Sequence, residues 1–271
     1  MTRLRDFLPT RTYSIACSYA GERIVAYVGG CTIRSDDSLL LHFPKTHSFA
    51  VGDRITVHLD NRTGVELLDI ELRVYRASYR GTVVSSRTDD IVVAPLHYQL
   101  FYGMSVVAER TDSSYRHPAD DRSDRSLPPS RLLEARLADK NEAENKLGVW
   151  ITFAKEWPHT TVMAFLSTGE DDIFVVSHKN SFKSTLIHRD RRCCFAIDHR
   201  ATFLFEKAID WNFSIFEMDA SIIDREKPLF SSIQREFVHK NPWEETFFTD
   251  ANMELFHLKP IRLLCAGGER R

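Results

Sequence analysis

Short runs in which every second residue is apolar, each closed off by turn-forming residues, restrict this chain to β-sheets over most of its length. In Arg54–Asp60 (RITVHLD), Ile55, Val57 and Leu59 alternate with polar residues, and over 69–75 Ile70, Leu72 and Val74 do the same. A period of two puts such side chains on one face of a sheet. Gly29-Gly30, Gly52-Asp53 and the run Asp60-Asn61-Arg62-Thr63-Gly64 supply turn chemistry between strands. Regularly punctuated short strands over residues 1–110 predict a small antiparallel β-barrel.

The composition then changes. Residues 111–129 (TDSSYRHPADDRSDRSLPP) are rich in Ser, Asp, Arg and Pro. They bury too little apolar surface to order themselves, which predicts a linker or loosely held loop. Pro128-Pro129 ends it, and Ser130 is placed to cap a helix over 131–146 with Leu132, Leu133, Leu137 and Ala138 on its apolar face. Strands are expected at 148–155, 160–166, 172–177, 192–198, 211–223 and 254–264. Helices are expected at 182–190 and from Pro228 to Lys240, where Leu229, Phe230, Ile233 and Phe237 follow helical spacing and Pro228 suits a first turn. The fold class is thus mainly β with a few helices, with domains at 1–110 and 130–271.

At 271 residues the chain fits one large domain or two ordinary ones. With 43% hydrophobic and 27% charged residues it has a soluble, globular composition. A net charge of −2 excludes a broad attraction to nucleic acid or an anionic membrane. The first ten residues lack the apolar core of a signal peptide. Residues 91–108 approach a membrane span in length, but Pro95, His97, Gln99 and Gly103 interrupt them, and two buried strands are expected instead. The five cysteines form no CxxC, and the adjacent Cys193 and Cys194 would face opposite ways in a strand. A disulfide framework and structural zinc are not expected, and a reducing cytoplasm is the natural setting.

The segment 172–192, DIFVVSHKNSFKSTLIHRDRR, carries the chemistry. An apolar strand ending at Ser177 enters a polar turn, His178-Lys179-Asn180-Ser181, and a helix begins. Helix-start amides, hydroxyls and a lysine charge suit a phosphate. Ser181 can bond a phosphate or cap the helix, and local pattern does not choose between them.

The order helix, strand, turn at Glu156-Trp157-Pro158, strand, turn at 167–170, strand, Ser-x-Lys turn, helix, Asp190-Arg191, strand resembles the FMN-binding split barrel of the pyridoxamine 5'-phosphate oxidase-like superfamily. The resemblance covers about half of the chain and implies a C-terminal split β-barrel that binds FMN at a homodimer interface. In that family a Ser-Arg-Lys turn grips the FMN phosphate; here the turn is Ser181-Phe182-Lys183. The resemblance implies phosphate contacts from Ser181 and Lys183, with the neighbouring Lys179, Asn180 and Ser184 in the same turn. It puts Ser177 close to the flavin and Thr160 and Thr161 near the other phosphate-facing position. The chain departs from the pattern at Phe182, where the family has arginine, and at Thr160 or Thr161, where the true oxidases have another. These changes remove charge-assisted bonds that Lys179 or His178 could restore. The 254–264 strand also lacks the Arg-rich ending that holds pyridoxal phosphate in the true oxidases, so vitamin B6 synthesis is not implied.

His188 and His199 flank a strand holding Cys193 and Cys194, but alternation spreads these over both faces, against a metal site. Mid-strand cysteines are usually packed and inert. No G-x-S-x-G, P-loop or G-x-G-x-x-G pattern occurs. Trp211, Phe213, Phe216 and Trp243 read first as core and dimer interface, with one of them stacking on the flavin as the sharper reading. Residues 1–110 look faintly like PilZ domains, through Arg3, Arg5, Arg11 and the 60–64 run, although the second motif has the wrong spacing.

The leading expectation is an FMN-dependent oxidoreductase, homodimeric and cytoplasmic, acting on a small molecule of unidentified kind, with no nucleic-acid or membrane partner. The alternatives are a non-catalytic sensing or binding protein that uses the split barrel to dimerise, and a haem-binding split-barrel protein with His178, His199 or His257 as ligand.

Overall fold

The computed structural model describes residues 3–61, 74–103, 105–134, 138–140, 145–198 and 213–267. They form two seven-stranded antiparallel sheets. The first contains β1 (Arg11–Ala20), β2 (Arg23–Ile33), β3 (Leu39–His42), β4 (Arg54–Asp60), β5 (Tyr75–Ser86), β6 (Asp90–Tyr102) and β7 (Ser105–Thr111), in the order β3-β2-β1-β4-β5-β6-β7. Because β3 also pairs with β6, strands β1 to β6 close into a barrel. Its interior holds Ala16, Ile33, Leu41, Val57, Tyr79 and Leu100.

The two strands expected over 91–108 form as β6 and β7, turned at Gly103, whose φ of 56° is left-handed, but β7 is not buried as expected: of its residues Ala108 is buried, while Ser105, Val106 and Glu109 are exposed. Pro95 does not end β6. Arg80 pairs with His97 and Gly81 with Pro95, so the register slips at Leu96 and the bulge accommodates the proline.

The second sheet contains β8 (Leu147–Thr152), β9 (His159–Ala164), β10 (Leu166–Ser167), β11 (Ile173–His178), β12 (Arg192–Asp198), β13 (Phe213–Ile223) and β14 (Met253–Gly267), in the order β10-β11-β14-β13-β12-β8-β9. Its end strands β9 and β10 are consecutive, with only Phe165 between them, so the sheet curls round a core. Trp150 and Phe256, on strands that do not pair, meet across that core at 5.5 Å. Phe165 and Phe195 do so at 5.4 Å. With β9–β10 counted as one bent strand, each barrel has the same order of neighbours: first, second, third, sixth, fifth, fourth. The expected mainly-β architecture with two barrel domains is the one observed.

Helix α1 (Phe182–Arg189) is capped by Ser181. Helix α2 (Pro228–Lys240) starts on its proline and buries Leu229, Phe230, Ile233 and Phe237, the face predicted by spacing. A 3-10 turn, Pro242–Glu244, and helix α3 (Glu245–Thr249) lead into β14.

Of the described residues in 131–146, where a helix is expected, Lys140 alone is helical, and as 3-10. Pro129 instead bridges Ile222 in parallel, Ser130 N–H donates to Ile222 O at 2.8 Å, and Ala138 bridges Thr168. Sheet-edge hydrogen bonds here outweigh helix propensity. Residues 112–128 have neither helix nor strand but are tied down by polar contacts. Arg122 donates to Phe153 O at 3.0 Å, Arg125 N–H to His188 O at 2.8 Å, and Tyr115 stacks on His97 at 4.8 Å.

The barrels pack against each other through one apolar layer. Ile15, Cys17, Ile24, Ala26 and Val28, on the outer face of β1 and β2, share a cluster with Val149, Ile151, Val162, Ala164 and Ile215 of the second barrel. Polar contacts frame it. Tyr19 Oη donates to Ala154 O at 2.6 Å and accepts from Ala154 N–H at 3.0 Å. Thr56 Oγ1 donates to Pro158 O at 2.7 Å, and Arg54 pairs with Glu156.

Candidate functional site

Strand β11 and helix α1 deliver the predicted polar turn as a closed hydrogen-bond chain. Ser181 Oγ lies 2.8 Å from Ser177 Oγ, accepts from Ser184 N–H at 3.2 Å and lies 3.1 Å from Ser184 Oγ. Ser181 thus caps the helix and links three hydroxyls, of which Ser177 and Ser184 are buried. The rest of the turn points elsewhere: Lys179 and Asn180 are exposed, and Asn180 N–H donates to His178 Nδ1 at 3.1 Å.

The threonines of β9 separate, as alternation requires. Thr160 faces the first barrel and donates to Ser78 Oγ of β5 at 3.3 Å. Thr161 faces the other way and lies 3.0 Å from His159 Nε2. Phe182, at the position of the family's arginine, meets His159 edge-on at 4.9 Å and His117 at 6.3 Å.

Lys183 is half-buried, and its proton affinity shows what surrounds it. Burial lowers its pKa, Arg76 of β5 lowers it further, and Glu244 opposes them. Glu244 is pushed up to about 7, chiefly by burial. His159 is pushed down to about 3 by burial and then by Arg80, Lys183, His117 and His58. Its Nδ1 is buried without a hydrogen-bond partner. The seam between the barrels therefore concentrates positive charge. Arg76 and Arg80 come from the first barrel and Lys183 from the second. The acids that temper them include Glu244 and Asp60, which acts on Arg76.

Sequence reasoning missed Arg76, Arg80, His159 and Glu244. The β5 run Tyr75-Arg76-Ala77-Ser78-Tyr79-Arg80 did contain a signal: Ala77 and Tyr79 enter the first barrel's core, so Arg76, Ser78 and Arg80 share the opposite face. What that face opposes depends on a contact between segments far apart in the chain. A cleft of about 470 Å³ also lies along the seam, with Arg54, Tyr115, Arg116, His117, Glu156 and Trp157 in its lining.

Other expected residues lie apart. Cys193 and Cys194 are buried in different clusters, and burial pushes the Cys193 thiol up to about 12. Phe213 and Phe216 likewise enter different clusters, because an odd separation along β13 puts them on opposite faces. His188 pairs with Glu254 at 3.1 Å, and His257 has both ring nitrogens engaged. Trp211 and His199 lie outside the described residues, as do 62–64 of the run weighed as a PilZ motif. No helix among the described residues is long and apolar enough to cross a membrane.

No protein-family model matches the chain, and no curated protein matches it. Solved structures do. Its structural neighbours are split-barrel proteins. One is HutZ from Vibrio cholerae, described as a haem storage protein: 17% identical, covering 49% of this chain and 96% of that one, with a TM-score of 0.41. Another is described as a putative pyridoxamine 5'-phosphate oxidase from Listeria innocua, at 18% identity, 44% and 86% coverage and a TM-score of 0.32. A third is a FAD-binding protein from Mesorhizobium loti, at 11% identity, 44% and 82% coverage and a TM-score of 0.34. Likeness at this level assigns no cofactor, so the chemistry below is argued from this chain's own residues.

Proposed function

We propose that this protein binds FMN, with the cofactor's phosphate held at the seam by Lys183, Arg76 and Arg80, and that it is an oxidoreductase of a small-molecule substrate. The observation that carries the reading is the convergence of cations from both barrels around a buried, unpartnered His159 Nδ1. A dianion fits that donor set: guanidinium forks and an ammonium form charge-assisted bonds to phosphate. The chain lacks the family's arginine beside Lys183, and the first barrel supplies Arg76 and Arg80 in its place. Ser177, Ser181 and Ser184 position the start of α1, and Thr161 is the hydroxyl of β9 not spent on the first barrel.

Bound FMN would supply hydride or electron transfer. The residues of the chain would bind and orient it and limit water at the seam; none need act as acid or base. We also propose that the protein is a homodimer, as the resemblance implies, which sedimentation of the purified protein tests. As a haem ligand His257 is disfavoured, because both its ring nitrogens are engaged.

FMN titration followed by flavin fluorescence tests the proposal. Lys183→Ala and Arg76→Ala should each weaken FMN by roughly tenfold or more, the scale of a lost charged hydrogen bond. Riboflavin, which lacks the phosphate, should bind both variants as it binds wild type. Equal FMN affinity in wild type and Lys183→Ala would refute the phosphate site.

A further inference from the structure

We propose that Ser130, His257 and Asp172 form a second site, away from the seam, that hydrolyses small anionic esters by way of an acyl-serine. Three separate elements bring the residues together. Ser130 lies on the extended segment pinned to β13, where Pro128 O accepts from Ile222 N–H at 3.0 Å and Ile222 O accepts from Ser130 N–H. His257 is in β14, paired with Ser221 on one side and Phe174 on the other. Asp172 immediately precedes β11, after a hairpin turn in which Asp171 takes a left-handed φ of 63°.

His257 Nε2 lies 2.9 Å from Asp172 Oδ1, and both residues are buried. His257 Nδ1 lies 2.8 Å from Ser130 Oγ. A carboxylate accepts only, so the Nε2 beside it carries the ring proton, and Nδ1 presents its lone pair to the Ser130 hydroxyl. Ser130 Oγ also accepts from Leu132 N–H at 3.2 Å, which leaves its own proton for the imidazole. Phe174 stacks on the His257 ring at 5.2 Å and fixes its plane. A buried carboxylate orienting an imidazole that faces a hydroxyl is the arrangement that activates a serine nucleophile.

His257 and Asp172 line a pocket of about 300 Å³, together with Pro129 and Arg131, the chain neighbours of Ser130, and with Pro128 and Leu132. Arg131, Lys259 and Arg191 also line it, and of these Arg191 is paired with Asp219 at 2.9 Å. Asp172 lines the pocket too, so Arg131 and Lys259 leave a small excess of positive charge that favours a negatively charged substrate, and the volume, at the lower end for ligand sites, limits it to a small one. The residues are distant in sequence and match no serine-hydrolase motif.

In the reaction Ser130 Oγ bonds to the acyl carbon as its proton passes to His257 Nδ1. The C–O bond to the alcohol breaks, and the leaving alkoxide takes that proton. Water then adds to the acyl-serine and gives a proton to His257, which returns it to Ser130 Oγ as the carboxylic acid departs. Ser130 and His257 are the catalytic residues; Asp172 is a positioning residue.

The test uses the full chain, a fluorophosphonate probe and p-nitrophenyl hemisuccinate. Wild type should be labelled at Ser130, located by peptide mapping, and should hydrolyse the ester. Ser130→Ala should lose the label and at least about a hundredfold of the turnover, the scale seen when a triad member is removed. Ser221→Ala, which removes a hydroxyl 3.4 Å from the same nitrogen, should retain both. Asp172→Asn should keep the label site but change the pH profile of turnover, because an amide facing Nε2 favours the other tautomer. Folded wild type that is neither labelled nor active, or turnover unchanged in Ser130→Ala, would overturn the proposal. Loss of FMN binding in Lys183→Ala would have no bearing on it.

Discussion

Lys183 acts on both His159 and Glu244, yet burial drives their proton equilibria in opposite directions. His159 falls from 6.5 to about 3, so below pH 6.5 the unfolded chain takes up a proton that the folded one refuses, and stability is lost on acidification. Glu244 rises from 4.5 to about 7, so the folded chain keeps a proton that the unfolded one has released, and stability is lost as pH rises through that range. Between pH 4.5 and 6.5 the two slopes, up to about 1.4 kcal/mol per pH unit each, oppose one another. Glu244→Gln removes one of them. Relative to wild type, it should lose stability by up to about 1.4 kcal/mol for each unit of acidification in that window, measured by urea unfolding. Curves that stay parallel would show that Glu244 is not held protonated. Gly148 gives a second prediction at this scale. A Cβ there would lie 2.3 Å from the Phe195 ring, so Gly148→Ala should destabilise by about 1–3 kcal/mol in the same measurement.

Among the elements, legibility followed local periodicity. Strands β4 and β12 were read to the residue, and the buried face of α2 was read from its 3.6-residue spacing, because one burial direction fixes each pattern. The 131–146 segment was misread because leucine spacing and Ser130 announce a helix, while the hydrogen bonds that hold Ser130 extended come from Ile222, far along the chain. The seam was hidden for the same reason. Alternation in β1 shows two faces, but Ile15 and Cys17 on the outer one need a second barrel to cover them. Tyr19, at the end of β1, tests how firmly that covering is held. Its hydroxyl both donates to and accepts from Ala154, so Tyr19→Phe should cost about 1–2 kcal/mol in denaturant unfolding, as two half-buried backbone groups lose their partner. A change within about 0.3 kcal/mol would mean that water replaces the hydroxyl freely.

The whole molecule is two barrels of one strand order whose outer faces share an apolar layer, and that layer sets how the chain unfolds. Each barrel has its own interior, so each could in principle fold alone. Separation, however, would leave Tyr13, Ile15, Cys17, Ile24, Ala26 and Val28 as one contiguous exposed apolar face on β1 and β2. The cations at the seam would lose their common setting as well, since Arg76 and Arg80 belong to one barrel and Lys183 to the other. Scanning calorimetry of the full chain should therefore show one transition, with calorimetric and van't Hoff enthalpies in agreement. FMN at saturating concentration should raise that single midpoint rather than sharpen one of two, because the proposed phosphate site needs both barrels folded and in contact. Two resolved transitions, with only the later one moved by FMN, would place the anion site within the second barrel alone and remove Arg76 and Arg80 from it.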